Sequence, residues 1–281
     1  MTTLPFAHSR LTRRNADLPT LEVLDAGLRH SSSLQRAVTA LLPFATLAVF
    51  ALACHTRSYL LLPLIVLAHF VFTVAYLHDV AHGSAGLNAR QTHWSLFVIG
   101  VLMLQSGHAF RYSHLFHHTH CLEDEDMEGA PAHMSLGKVL LTGPVYLPRL
   151  WIKALREAGP RERRWIAAEL GAAMALAGGA ALLANWSLGP LLYCTFVYVG
   201  GWGYPLATAY LPHYKPGTAP LDQARTLRGT IVPVLFMNLT YHLEHHLYPQ
   251  VPSMNLRRLA LRLDPLLAAR GRVVLGASRF F

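Results

Sequence analysis

Apolar positions in this chain gather into four long runs, at about 37–54, 60–77, 165–184 and 188–211, separated by segments rich in histidine, arginine and acidic residues. Each run approaches the roughly 20 residues that carry a helix across a bilayer. Two shorter apolar stretches, near 94–107 and 138–152, are too brief, or too interrupted by Gly143, Pro144 and Pro148, to cross. They read as interfacial or re-entrant helices. The pattern predicts an all-α integral membrane protein with four transmembrane helices and a helical cap. The division expected is an N-terminal segment, 1–36, followed by one membrane domain, 37–281. Segment 1–36 is polar and mixed, without the apolar core of a secretory signal, so the first span is expected to direct insertion. The Ala/Gly-rich stretch 167–184 reads as a closely packed membrane helix.

Composition agrees. Hydrophobic residues make up 53% and charged residues only 14%, where a soluble domain carries roughly a quarter charged. Basic residues then set the orientation. Five arginines fall in 1–36, nine Lys or Arg in 78–164 and nine in 212–281, which leaves only Arg57 between the first two runs. Cytoplasmic loops collect such residues, so both termini and the segment after the second run are expected in the cytoplasm. The net charge of +9 does not imply a nucleic-acid partner, because the arginines flank apolar runs and form no basic stripe. Anionic lipid headgroups are the expected partners of Arg161, Arg163 and Arg164. Cys54, Cys121 and Cys194 show no paired spacing, and no structural disulfide is expected.

The candidate chemistry lies in histidine. His78 and His82, then His114, His117 and His118, then His242, His245 and His246 form three tight clusters. Members three or four residues apart share a helix face. One such pair is ordinarily solvated or packed in a core; three clusters beside apolar runs point to metal. Eight imidazoles are twice what one tetrahedral ion uses, so two metals are expected. All three clusters fall on the predicted cytoplasmic side. His8, His30, His55, His69, His93 and His133 read as solvated, interfacial or packed, and His108 and His120 also stay outside the ligand set. A metal transporter, the remote alternative, would place polar ligands near the bilayer midplane. Here the clusters sit at span ends and between spans.

These boxes, their order around four spans, and the tail Tyr241-His242-Leu-Glu-His245-His246-Leu-Tyr-Pro249-Gln-Val-Pro252-Ser-Met-Asn255-Leu resemble the membrane fatty acid desaturase superfamily, over about residues 60–265. The resemblance implies a non-haem di-iron centre that uses molecular oxygen to remove hydrogen from an unactivated C–H bond. It carries the eight box histidines over as iron ligands. It adds His213, in Leu211-Pro212-His213, as a further ligand after the fourth span. Asn238 is placed to meet a metal-bound water or to serve as an ordinary polar residue of the bundle. Asp79, Glu244, Asp124 and Asp126 are candidates to orient the ligands. The proline of an Asp-Pro-Asp pattern common after the second box is missing here, and Glu123-Asp124-Glu125-Asp126 also reads as a solvated acidic turn.

The scaffold hosts acyl desaturases, acyl hydroxylases, and carotenoid ketolases and hydroxylases. The tail favours an acyl desaturase, while His78-Asp-x-x-His82-Gly-Ser and Leu211-Pro212-His213 also resemble carotenoid ketolases. Phe196, Tyr198, Gly200, Gly201, Trp202, Gly203 and Tyr204 could line a tunnel or simply pack the bundle. The chain shows no iron–sulfur pattern or nucleotide fingerprint. A ferredoxin or small cytochrome is therefore the expected electron donor, and a lipid from the bilayer the expected substrate.

Overall fold

A computed structural model of the chain describes residues 18–217 and 219–270; the first 17 residues, with His8, lie outside the described residues. The described residues are helical, with no extended strand among them; an isolated antiparallel bridge joins Thr226 and Tyr241. Helix α1 is short, Leu21–Asp25. Helix α2, Ser33–His55, starts several residues before its apolar run, because Ser32 and Gln35 close a capping box through bonds of 3.1 and 2.8 Å. A 3₁₀ turn, Tyr59–Leu61, leads into α3, Leu62–Ala81. Then follow α4, Ala89–Leu102; α5, Gly107–His120; α6, Leu136–Glu157; and α7, Pro160–Leu182. Ser33–His55, Tyr59–Ala81 and Pro160–Asn185 are long and apolar enough to cross a membrane.

The fourth run departs from the single helix expected. Helix α8, Gly189–Gly200, gives way to a 3₁₀ turn, Gly201–Gly203, and a π-helical turn, Leu206–Tyr210. Gly200, Gly201, Gly203 and Pro205 explain the break: glycine weakens a helix interior and proline removes a donor. The glycines also permit close packing. A Cβ on Gly200 would collide with the Phe70 ring, and one on Gly143 of α6 would collide with the Trp202 carbonyl. Tyr198 and Trp202 are exposed, so these two side chains neither pack inside the bundle nor line an enclosed tunnel. The two short stretches are helical as expected, in α4 and α6. Contrary to expectation, α6 runs unbroken through Pro144 and Pro148, from the Ser135 cap to Glu157.

The remaining α-helices among the described residues are α9, Ile231–Leu235; α10, His242–Leu247; and α11, Leu256–Ala268. Two main cores result. Between the long helices, Phe50, Leu62, Val66, Tyr193 and Val197 pack together. Within this core the buried His69 bonds Thr46 Oγ1 at 2.8 Å and Tyr193 Oη at 3.0 Å, which makes it a satisfied packed histidine. The other core unites the two ends of the described chain: Leu21 and Leu28 pack with Leu247, Val251, Leu256, Leu259, Leu263 and Leu267. Burying each such leucine contributes about 1.5–3 kcal/mol. Polar staples fix the join. Asn255 Nδ2 donates to the carbonyls of Leu28 and His30, each at 3.0 Å, and Tyr248 Oη donates to the Pro19 carbonyl at 2.7 Å.

Candidate metal centre

Four pieces of chain bring the histidines together. His78 lies in the last turn of α3 and His82 caps it. Ser106 caps α5 by accepting from Ala109 N at 3.0 Å, and two turns on the helix presents His114, His117 and His118, all buried. The short α10 carries His242, His245 and His246. The π-helical turn adds one residue to its hydrogen-bonded loop, which re-aims the chain just before His213.

The ring nitrogens form two groups. His78, His82, His114 and His245 make one, and His117, His213, His242 and His246 the other; within each group the donor atoms lie within 4.8 Å of one another. That is the span expected for imidazole nitrogens about 2 Å from a shared ion. His118 sits between the groups, with its Nε2 2.8 Å from His245 Nε2 and its ring 4.4 Å from that of His246. All nine histidines named from the sequence are thus gathered in one place.

The outer hydrogen bonds show which nitrogens face inward. His213 Nδ1 donates to the Gln223 carbonyl at 2.6 Å, His117 Nδ1 to Asp126 Oδ2 at 2.7 Å and His114 Nδ1 to Glu128 Oε1 at 2.8 Å. A carbonyl accepts only, so Nδ1 of His213 carries the proton and its Nε2 presents a lone pair. Yet Nε2 of His117 lies 3.1 Å away and Nε2 of His242 2.9 Å away. Nε2 of His78 and His245 likewise approach to 2.9 Å. Contacts this close need a proton on one nitrogen or a cation among them, and the single lone pair of His213 Nε2 cannot accept fully from both neighbours. The buried Nε2 atoms of His82 and His114 have no hydrogen-bond partner, which orphans them unless they ligate. The donor set therefore fits metal ions, and imidazole suits iron, zinc or copper.

The electrostatics point the same way. Burial first, and neighbouring imidazoles second, hold His82, His118, His242, His245 and His246 well below the usual histidine range. His114 is held low likewise, and burial takes His213 down to about 3. Neutral imidazole is the form that binds metal. His117 differs: burial disfavours its cation, but the Asp126 carboxylate outweighs that and raises it. Burial pushes the Glu128 carboxyl up to about 7.

The orienting residues foreseen from the sequence fare unevenly. Asp126 is buried and bonded to His117, whereas Asp124 is exposed. Asp79 lies 3.4 Å from His78 Nδ1, but its stronger bonds are from Ser253 N and Oγ, both at 2.9 Å, and they staple the tail to α3. Glu244 accepts from Arg228 Nη2 at 2.7 Å and from Thr226 Oγ1, so its carboxylate ties α10 to the segment that precedes it. Asn238 is buried in a left-handed turn (φ 62°), with no hydrogen bond from its amide to an imidazole among the described residues. Glu128 went unforeseen. It stands beyond the acidic run, and only its proximity to α5 in the fold gives it a role. His108 and His93 form a separate cluster with Glu169, and His120 bonds Thr119 and the Phe116 carbonyl.

Fold and site together define an all-helical membrane protein with a histidine-caged centre suited to two metal ions. A family model described as Fatty acid desaturase matches residues 56–276, and the chain belongs to that family. Membership marks it as an oxidoreductase of a family known for di-iron use. A search of curated proteins gave no match.

Proposed function

We propose that the chain is an oxygen-dependent di-iron oxidase of membrane lipids, and that its reaction is desaturation of a fatty acyl chain. The observation that carries this reading is the pair of four-histidine groups, each with its donor atoms within 4.8 Å of one another, in which the buried Nε2 atoms of His82 and His114 are answered by no hydrogen bond. In this reading His78, His82, His114, His117, His118, His213, His242, His245 and His246 hold two irons. When bound, the irons supply the oxygen activation that breaks an unactivated C–H bond. Glu128, Asp126 and the Gln223 carbonyl fix the tautomer and tilt of their imidazoles. Apolar helices bring the lipid to the site, and the buried cage limits access of water. Electrons come from a ferredoxin or small cytochrome. The composite segment 188–211 serves as the fourth span, with the cage and both termini cytoplasmic.

Hydroxylation starts from the same hydrogen abstraction, and a carotenoid fits the same scaffold. Expression in a bacterial host with and without a carotenoid pathway, against a His118→Ala control, separates these readings by mass spectrometry of lipids and pigments. New acyl species lighter by two hydrogens, made only by the intact chain, are the expected result. Pigments or acyl chains that gain oxygen would replace this reading with ketolation or hydroxylation. Metal uptake into vesicles without any oxidation would point to a transporter.

A further inference from the structure

Outside the cage, the segment between the fourth apolar element and α10 carries a feature that neither the site nor the cores use. Residues 228–239 leave the fold and return to it across a closed base. Leu227 N donates to the Thr240 carbonyl at 2.9 Å, Thr226 and Tyr241 form the isolated antiparallel bridge, and Arg228 clamps Asp264 with bonds of 2.6 and 3.1 Å. The return turn is tight: Met237 and Asn238 both adopt left-handed backbone, and Asn238 N donates to the Pro233 carbonyl at 2.6 Å. From Gly229 to Thr240 there is no charged residue. At the tip, Ile231 is 71% exposed, Val234 59%, Leu235 61% and Phe236 40%.

We propose that this tongue dips its tip into the acyl region of the bilayer, a membrane contact additional to the spans and joined through Tyr241 to the third histidine cluster. An exposed apolar patch of this kind marks a surface that meets lipid or protein. Continuity with the bilayer-facing part of the chain selects lipid. Arg225 N donates to the Pro212 carbonyl at 2.8 Å, and Arg225 Nε to the Tyr214 carbonyl at 2.5 Å. The tongue therefore springs from the residues that directly follow the fourth apolar element, whose last residue, Leu211, is itself exposed. Tyr210 and Tyr214 pair their rings at 5.4 Å, and Lys215 Nζ lies 5.2 Å over Tyr214. Aromatic rings with a flanking cation are the usual furniture of the membrane–water boundary. A tongue rooted at that boundary needs only a few ångströms to bury an apolar tip, as interfacial segments do.

The contact is independent of which lipid is oxidised, and its test does not read activity. Ile231→Cys and Leu235→Cys are each labelled with a nitroxide in lipid nanodiscs, with Arg258→Cys on the exposed face of α11 as the water-facing reference. The parent chain, labelled in parallel, supplies the background from Cys54, Cys121 and Cys194. The expected result is greater collision with oxygen, and less with a water-soluble nickel chelate, at 231 and 235 than at 258. Chelate access equal to that at 258 would overturn the proposal. So would shielding from both probes: if the accompanying spectral broadening vanished on dilution with unlabelled protein, a second copy covers the tip, and if it did not, the chain itself does.

Discussion

Helix α5 carries two buried histidine networks, and they are built on opposite principles. At its start, every polar atom of His108 is answered: Nδ1 meets Glu169 Oε1 at 2.6 Å, the backbone N donates to Glu169 Oε2 at 3.2 Å, and Nε2 meets His93 Nδ1 at 2.8 Å. Ser106 Oγ adds a 2.5 Å bond to the same carboxyl, and His93, His108 and Trp165 stack nearly parallel. At its end, His114 Nε2 has no hydrogen-bond partner, and the Nε2 atoms of His117 and His118 meet other imidazole nitrogens, those of His213 at 3.1 Å and His245 at 2.8 Å. Burial alone does not make a histidine a ligand. The deciding property is whether the inward nitrogen is already satisfied, because a satisfied nitrogen needs no ion, whereas the orphaned Nε2 atoms of His82 and His114 do.

The cage is where one substitution has the largest expected effect. His245→Ala removes the nitrogen that faces both His78 and His118; activity is expected to disappear and bound iron to fall, in a protein that still inserts. Full activity with full iron would end the account of the cage. Next comes Glu128→Ala, which leaves His114 as a ligand without its orienting acceptor; metal affinity or turnover is expected to drop about 10–100-fold, as for other outer partners of metal-bound histidine. An unchanged metal titration would show that the carboxyl does not orient the ring.

The other network should respond in stability and not in metal. Glu169→Ala strands the Ser106 hydroxyl and the His108 N–H groups, at about 1–3 kcal/mol for each buried donor left unanswered. A clear fall in the unfolding midpoint in detergent is expected, with iron retained in the folded fraction. Iron loss without destabilisation would mean that the two networks are one. Smallest is His93→Phe, which keeps a ring in the stack and loses one hydrogen bond, about 1 kcal/mol. A loss of stability as large as that of Glu169→Ala would shift the weight of the cluster from the carboxyl to the stack.

The cage was legible because α3, α5 and α10 carry their histidines at helical spacing, a local property that sequence displays directly. His213 stands alone and was found only through family resemblance; its place depends on a π-helical turn that no periodicity announces. The acidic residues show the opposite case. Asp126 and Glu128 reach His117 and His114 from a loop, whereas Asp124 in the same run faces solvent, and nothing in the spacing separates them. Asp79 and Glu244 neighbour box histidines in sequence but spend their oxygens on Ser253 and Arg228, long-range partners invisible along the chain. For the fold, apolar run length located three long helices, while the glycines and Pro205 that break the fourth were visible but read as part of one span. The prolines of α6 were read as breaks and proved compatible with a continuous helix.

Two metal ions held by these imidazoles would be visible as a stoichiometry. The most direct test is elemental analysis of the purified intact chain from iron-replete cells, set against protein concentration from amino-acid analysis. Two irons per chain, reduced in His245→Ala, is the result this account predicts. A chain that oxidises lipid with one metal or none would contradict it.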